Sequence, residues 1–129
     1  MKLLKIIYVI LFMVVSNSSF AQSGNELLNA IKSTDMISVE TFFQDKIEFC
    51  IEEDQQILAK AAAVRKFKLF LDDHKPISIE VIHNGNSKDK ASQYKVAKLV
   101  TTQGIFRIFI YSTGDIKSKS VKEIRIDRF

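Results

Sequence analysis

Residues 92–112 read SQYKVAKLVTTQGIFRIFIYS. Ser92 to Thr102 reads as one long strand, with lysines interleaved among its apolar residues. Gln103-Gly104 then supplies a tight turn, and Ile105 to Ser112 is a second, more apolar strand. Two long strands with so short a link pair antiparallel, because a parallel pair needs a crossover of a dozen or more residues. On Ile105 to Tyr111 both sides are apolar. Phe106, Ile108 and Ile110 form one side; Ile105, Phe109 and Tyr111, with Arg107, form the other. Only one side fills a core unless both are covered. Aromatics with an arginine on the second side are a common interface composition, so these four residues are a candidate surface for pairing with a second copy of the chain.

The strand pattern continues outward in both directions. Upstream, Ile77-Ser78-Ile79-Glu80-Val81-Ile82-His83 runs into Asn84-Gly85, a turn signal. Downstream, Thr113 to Ser120 reads as a polar loop and Val121 to Phe129 as a closing strand. The order from Ile77 to the end is an antiparallel meander. Before it the period changes. Gln56 to Asp72 carries three consecutive alanines and then Val64, Phe67, Phe70 and Leu71 at helical spacing, and Asp72-Asp73-His74-Lys75-Pro76 ends that helix. His74 in this polar stretch reads as exposed. Lys46 to Ile51 places Ile47, Phe49 and Ile51 on one side of a first strand. Two short amphipathic helices precede it, Asn25–Lys32 and Met36–Phe43, the second capped by Asp35. The expected core is Ile47, Phe49, Val64, Phe67, Phe70, Ile79, Val81, Ile108, Ile124 and Ile126. Helices followed by a sheet make an α+β architecture with the helices on one face.

Met1 to Ala21 has the parts of a secretory signal peptide. Lys2 and Lys5 precede the ten-residue apolar run Ile6–Val15, and Ser19-Phe20-Ala21 offers small residues at the cleavage positions. A spanning helix needs about 20 apolar residues, so this run is too short. Cleavage after Ala21 leaves one domain over residues 22–129, exported to the periplasm or beyond, with no membrane anchor. Charge along that remainder is uneven: eight acidic and two basic residues lie in 22–54, while 55–129 has net charge +8. The lysines of the second part mostly alternate with apolar residues along strands, which describes a solvated face rather than a nucleic-acid surface.

Little in the composition suggests catalysis. One cysteine, Cys50, and two separated histidines cannot by themselves build a zinc site. The glycines are scattered and form no phosphate loop, so no cofactor is expected. Cys50 has no partner for a disulfide and no histidine in sequence to activate it, and reads as an inert thiol. His83 shares strand parity with Ile77, Ile79 and Val81, so alternation directs it toward the helices. There, with Tyr94 as its nearest polar neighbour, it is either an acid/base or ligand-binding group, or a strand-end histidine capping the Asn84-Gly85 turn. Glu80 falls on the opposite face by alternation, and no carboxylate is placed to orient the imidazole.

Short helices, a strand, a longer helix and then long antiparallel strands resemble the nuclear transport factor 2-like fold, a cystatin-like cone in which a curled antiparallel sheet wraps N-terminal helices. Phe42-Phe43, Phe67-x-x-Phe70, Pro76, His83-Asn84-Gly85, Tyr94, Leu99–Thr102, Gly104-Ile105-Phe106-Arg107 and Ile124-Arg125-Ile126 further resemble a family of secreted bacterial domains of unknown function in that superfamily. Ala97 stands where a glycine is expected. The resemblance implies a fold, not an activity, since the superfamily holds isomerases, dehydratases and many binding modules. Two functions of different class follow as expectations. One is a non-catalytic envelope module that holds a small apolar ligand in the cone or a protein partner on the sheet. The other is a small enzyme working in the cone through His83 and Tyr94.

Overall fold

The computed structural model describes residues 26–89, 91–114 and 120–129. Two short helices, α1 (Glu26–Lys32) and α2 (Met36–Thr41), lead into strand β1 (Phe43–Ile51) and strand β2 (Asp54–Ala59). Helix α3 (Lys60–Asp73) follows, then β3 (Pro76–Asn86), β4 (Ser92–Thr101), β5 (Gly104–Thr113) and β6 (Ser120–Arg128). The six strands form one sheet in the order β2-β1-β6-β5-β4-β3. The proposed signal segment and most of the loop before β6 lie outside the described residues.

The expected meander is present. β3, β4, β5 and β6 pair antiparallel in sequence order. The turn between β4 and β5 is held by Thr101, whose buried hydroxyl donates to the Gly104 carbonyl at 2.8 Å and accepts the Gln103 N–H at 3.1 Å. Gly104 has φ +125°, a conformation that side chains rarely adopt, so glycine is required at this corner.

Three features depart from the sequence reading. The sheet is mixed, because β1 joins β6 in parallel while its other neighbour β2 is antiparallel. Residues 56–59 are strand, not helix, and Phe43 starts β1 instead of ending a helix. A two-residue turn, Glu52-Glu53, folds β2 back on β1, and Glu52 takes φ +55° with its N–H donating to the Ile126 carbonyl at 2.7 Å. Neither glycine nor asparagine marks that turn, so the sequence conceals it. Asn84-Gly85 lies within β3, and the hairpin closes further on, where Asp89 accepts from the Ser87 hydroxyl and the Ala91 N–H.

The core sits between the helices and one face of the sheet. Helix α3 contributes Ala63, Val64, Phe67, Phe70 and Leu71, a stripe at helical spacing. The sheet contributes Ile47 and Phe49 from β1, Ala97 and Leu99 from β4, Phe106, Ile108 and Ile110 from β5, and Val121, Ile124 and Ile126 from β6. Phe49 and Phe67 meet with ring centroids 5.5 Å apart, and Phe70 meets Phe106 edge-on at 5.2 Å. Ile79 and Val81 pack on this core while remaining partly exposed. Asp35 caps α2, accepting the Ser38 hydroxyl at 2.7 Å and the Ser38 N–H at 3.3 Å. His74 is half-buried rather than exposed. Its ring stacks on Phe70 at 4.3 Å, and its Nδ1 lies 2.9 Å from the Phe70 carbonyl, closing the C-terminus of α3.

Candidate functional site on the outer face of the sheet

Strand alternation puts every second residue on the face away from the helices, and directly opposed residues of neighbouring strands share that face. The pairing registers arrange the middle of this outer face in three rows. One row is Glu80, Lys98, Arg107 and Asp127. The next is His83, Val96, Phe109, Arg125 and Cys50. The third is Gly85, Tyr94, Tyr111, Glu123 and Glu48.

His83 therefore stands on the outer face, opposite to where alternation from Ile79 and Val81 directs it. A β-bulge is the cause. Val81 opposes Ala97 and His83 opposes Val96, so Ile82 is an extra residue that shifts the parity of the strand. The same bulge places His83 and Glu80 on one face. His83 is exposed, and its Nε2 and the Tyr94 hydroxyl share a hydrogen bond of 2.9 Å. The sequence pairs these two residues correctly and assigns them the wrong side.

Gly85 explains how they meet. A Cβ at this position would lie 2.5 Å from the Tyr94 ring, so the ring rests directly on the glycine backbone. Here the glycine serves as the seat of an aromatic ring, not as a turn. Tyr94 in turn stacks on Phe109 with centroids 6.1 Å apart and planes 24° from parallel. His83, Tyr94 and Phe109 thus form a continuous line of rings across β3, β4 and β5.

The four residues of the two-sided strand occupy the face expected for them. Ile105 and Arg107 are exposed, Phe109 and Tyr111 half-buried, while Phe106, Ile108 and Ile110 are buried on the other side. Phe129, 57% exposed, lays its ring against two cations, Arg107 at 5.0 Å and Lys98 at 5.4 Å. No carboxylate forms an ion pair with Lys98 or Arg107 among the described residues.

Across the sheet the balance is reversed. Glu48 and Glu123 oppose each other on β1 and β6, and with Tyr111 and Lys122 they line a cleft of about 270 Å³. The Glu123 side chain is only 21% exposed, and its nearest guanidinium, Arg125, is 3.8 Å away. Burial pushes the Glu123 carboxyl above the usual range, helped by a hydrogen bond to Glu48 and by that group's charge, against the opposing pull of Arg125. Cys50, between these rows, is buried, and its thiol donates to the Glu52 carbonyl at 3.1 Å. Burial raises its pKa, so it stays a thiol and is a poor nucleophile.

Chemically, this face offers aromatic and aliphatic area bordered by unpaired charge. His83 has a phenol for its partner, not an orienting carboxylate, and no group of three or more His, Cys, Asp or Glu among the described residues can hold a metal ion. No helix among those residues is long and apolar enough to cross a membrane. Sequence reasoning missed Gly85, Lys98, Glu48, Glu123 and Phe129 as members of the face. Their grouping depends on cross-strand register, which periodicity within one strand does not carry.

Comparison with known proteins agrees with this architecture. A family described as a domain of unknown function, DUF4783, matches residues 25–127. The structure of a DUF4783 family protein from Bacteroides ovatus is similar with a TM-score of 0.74 and 22% identity, covering 81% of this chain and 93% of that one. One from Bacteroides uniformis has a TM-score of 0.75 and 22% identity, covering 84% and 98%. A nuclear transport factor 2-like protein from Cytophaga hutchinsonii, 12% identical, has a TM-score of 0.62 and covers 88% and 98%. No curated protein matches the chain. The chain thus belongs to the DUF4783 family of domains of unknown function and has the nuclear transport factor 2-like fold.

Proposed function

We propose that this protein is an exported, non-catalytic interaction module of the cell envelope whose working surface is the outer face of the sheet, used first to hold a second copy of the chain. The observation that carries this is the contrast between the two sheet faces. Phe49, Phe67 and Phe106, each at most 1% exposed, fill the space beneath the helices. Among the described residues, no helix packs over the row His83, Tyr94, Phe109 and its neighbours Ile105, Arg107 and Tyr111. A filled interior favours a protein partner over a small apolar ligand in the cone. Export rests on the N-terminal pattern, and exported protein should have an intact mass beginning at Gln22; a mass that includes residues 1–21 would refute it.

Light scattering on the purified protein at high concentration is expected to give twice the chain mass, and a monomer at every concentration would remove the homodimer. A small enzyme of isomerase or dehydratase type, using His83 and Tyr94, is the alternative, and the hydrogen bond between them favours it. His83→Ala and Tyr94→Phe separate the two. Under the interaction role any loss of function accompanies a loss of assembly; loss of function with stability and assembly intact would make the pair catalytic.

A further inference from the structure

The charges of the outer face are arranged for one particular self-association. Counting from Phe109, Lys98 lies one strand and one row away in one direction, and Glu123 lies one strand and one row away in the other. Phe109 is thus the midpoint of a diagonal with an unpaired base at one end and a crowded acid at the other. Lys98 and Arg107 are held by the Phe129 ring and make no ion pair with Glu80 or Asp127, which flank them in the same row. Glu48 and Glu123 face each other with Tyr111, Lys122 and Arg125 around them, and Glu123 has its closest base at 3.8 Å.

Resting on the interaction role proposed above, we infer that two copies pack face to face about a two-fold axis through Phe109, so that the Glu48–Glu123 corner of each copy lies over the Lys98–Arg107 corner of the other. A two-fold axis in the plane of contact, perpendicular to the diagonal, exchanges its two ends. Every acid-to-base contact is therefore made twice, as an isologous interface requires. The aromatic row becomes the apolar centre, with the charged rows directly on either side of it and Ile105 beyond the Lys98–Arg107 row. The area is of the right order. Six strands about 4.8 Å apart and about ten residues long give a face of roughly 24 by 30 Å, which approaches the ~800 Å² per partner of a stable complex. The raised pKa of Glu123 fits the same picture, since its one ion pair, with Arg125 at 3.8 Å, does not offset burial and the neighbouring Glu48, and a second copy would bring further cations.

Charge reversal tests the geometry. Glu123→Lys and Lys98→Glu each replace two attractive contacts by two like-charge contacts, and each is expected to weaken the dimer at least about tenfold in sedimentation equilibrium. The double variant restores opposite charges at both ends and is expected to recover most of the affinity. So is a one-to-one mixture of the single variants, because in the mixed dimer both contacts are attractive. Thermal melts establish that each chain is folded, and Glu48→Lys with Arg107→Glu repeats the test if either first-choice variant is not. A wild-type dimer that the single reversals leave unchanged would overturn the diagonal pairing alone, provided Phe109→Arg still dissociates it. Weakening that neither the double variant nor the mixture rescues would also overturn the pairing. A wild-type chain that is monomeric at all concentrations would remove the homodimer and this geometry together.

Discussion

The two faces of the sheet are built from the same strands and differ in almost every physical respect. On the inner face Leu99, Phe106, Ile108, Ile124 and Ile126 are at most 1% exposed and meet the helices as a continuous apolar layer. On the outer face their immediate sequence neighbours, Lys98, Arg107, Phe109, Glu123 and Arg125, mix rings with charges. The inner face accounts for the fold: burying an aromatic or large aliphatic side chain contributes about 1.5–3 kcal/mol. The outer face holds a line of three rings, two bases that make no ion pair among the described residues, and two opposed acids with one ion pair between Glu123 and Arg125. Exposed rings bordered by polar residues are the composition of interaction surfaces. The interior accounts for stability, and the exterior is the surface proposed above for contact.

Substitutions at matched positions can break that division. Phe106→Ala on the inner face should cost about 3–5 kcal/mol, enough to remove most of the stability of a chain this size, and urea denaturation measures it directly. Phe109→Arg, three residues along the same strand, should cost no more than about 1 kcal/mol in the same experiment. Comparable losses at both positions would mean that the outer face is part of the folding core.

Gly85→Ala sharpens the account of the ring row. The added methyl meets the far end of the Tyr94 ring, which can swing away, so the expected loss is under about 1 kcal/mol. Its signature is local: the imidazole nitrogen shifts of His83 should come to resemble those of the Tyr94→Phe protein. Unchanged shifts would show that Gly85 is not what seats the ring.

Glu123→Gln examines the acid pair within one chain. Like charges on directly opposed strand positions destabilise by about 0.2–1 kcal/mol, so the variant should be more stable than wild type by that amount at neutral pH. The sign follows from the raised folded pKa. Glu123 contributes stability in its protonated form, and this is lost as pH rises through that value. The advantage of the glutamine should therefore shrink in acid, and equal differences at pH 7 and pH 4 would contradict it. Asp35→Ala should give the smallest effect, with the opposite pH dependence. Hydrogen bonds from Ser38 hold the Asp35 carboxyl below the usual range, so the contribution of this exposed cap is present at neutral pH. It fades as pH falls through the lowered value, and thermal melts at the two pH values read the change.

Much of the inner face was legible in the sequence because burial imposes a period. Phe67 and Phe70 at helical spacing, and Ile108, Ile124 and Ile126 at strand spacing, announce their side. What escaped was local. Residues 56–59 read as helix because they run into three alanines, and the turn that makes them a strand depends on Glu52 adopting a left-handed conformation that no residue type advertises. Alternation directs His83 inward, whereas one extra residue, Ile82, resets the parity without leaving a mark in the composition. The surface was only half legible. Ile105, Arg107, Phe109 and Tyr111 were visible within one strand, whereas Glu48 opposite Glu123, and Tyr94 over Gly85, exist only once the register between strands is set.

Sedimentation equilibrium on the wild type and Phe109→Arg at matched concentrations is the most direct test of the outer face as the working surface. The wild type should fit a monomer–dimer equilibrium and the variant a monomer, with melting temperatures within a few degrees of each other. Identical mass in both proteins, with the variant folded, would contradict that role for the face around Phe109.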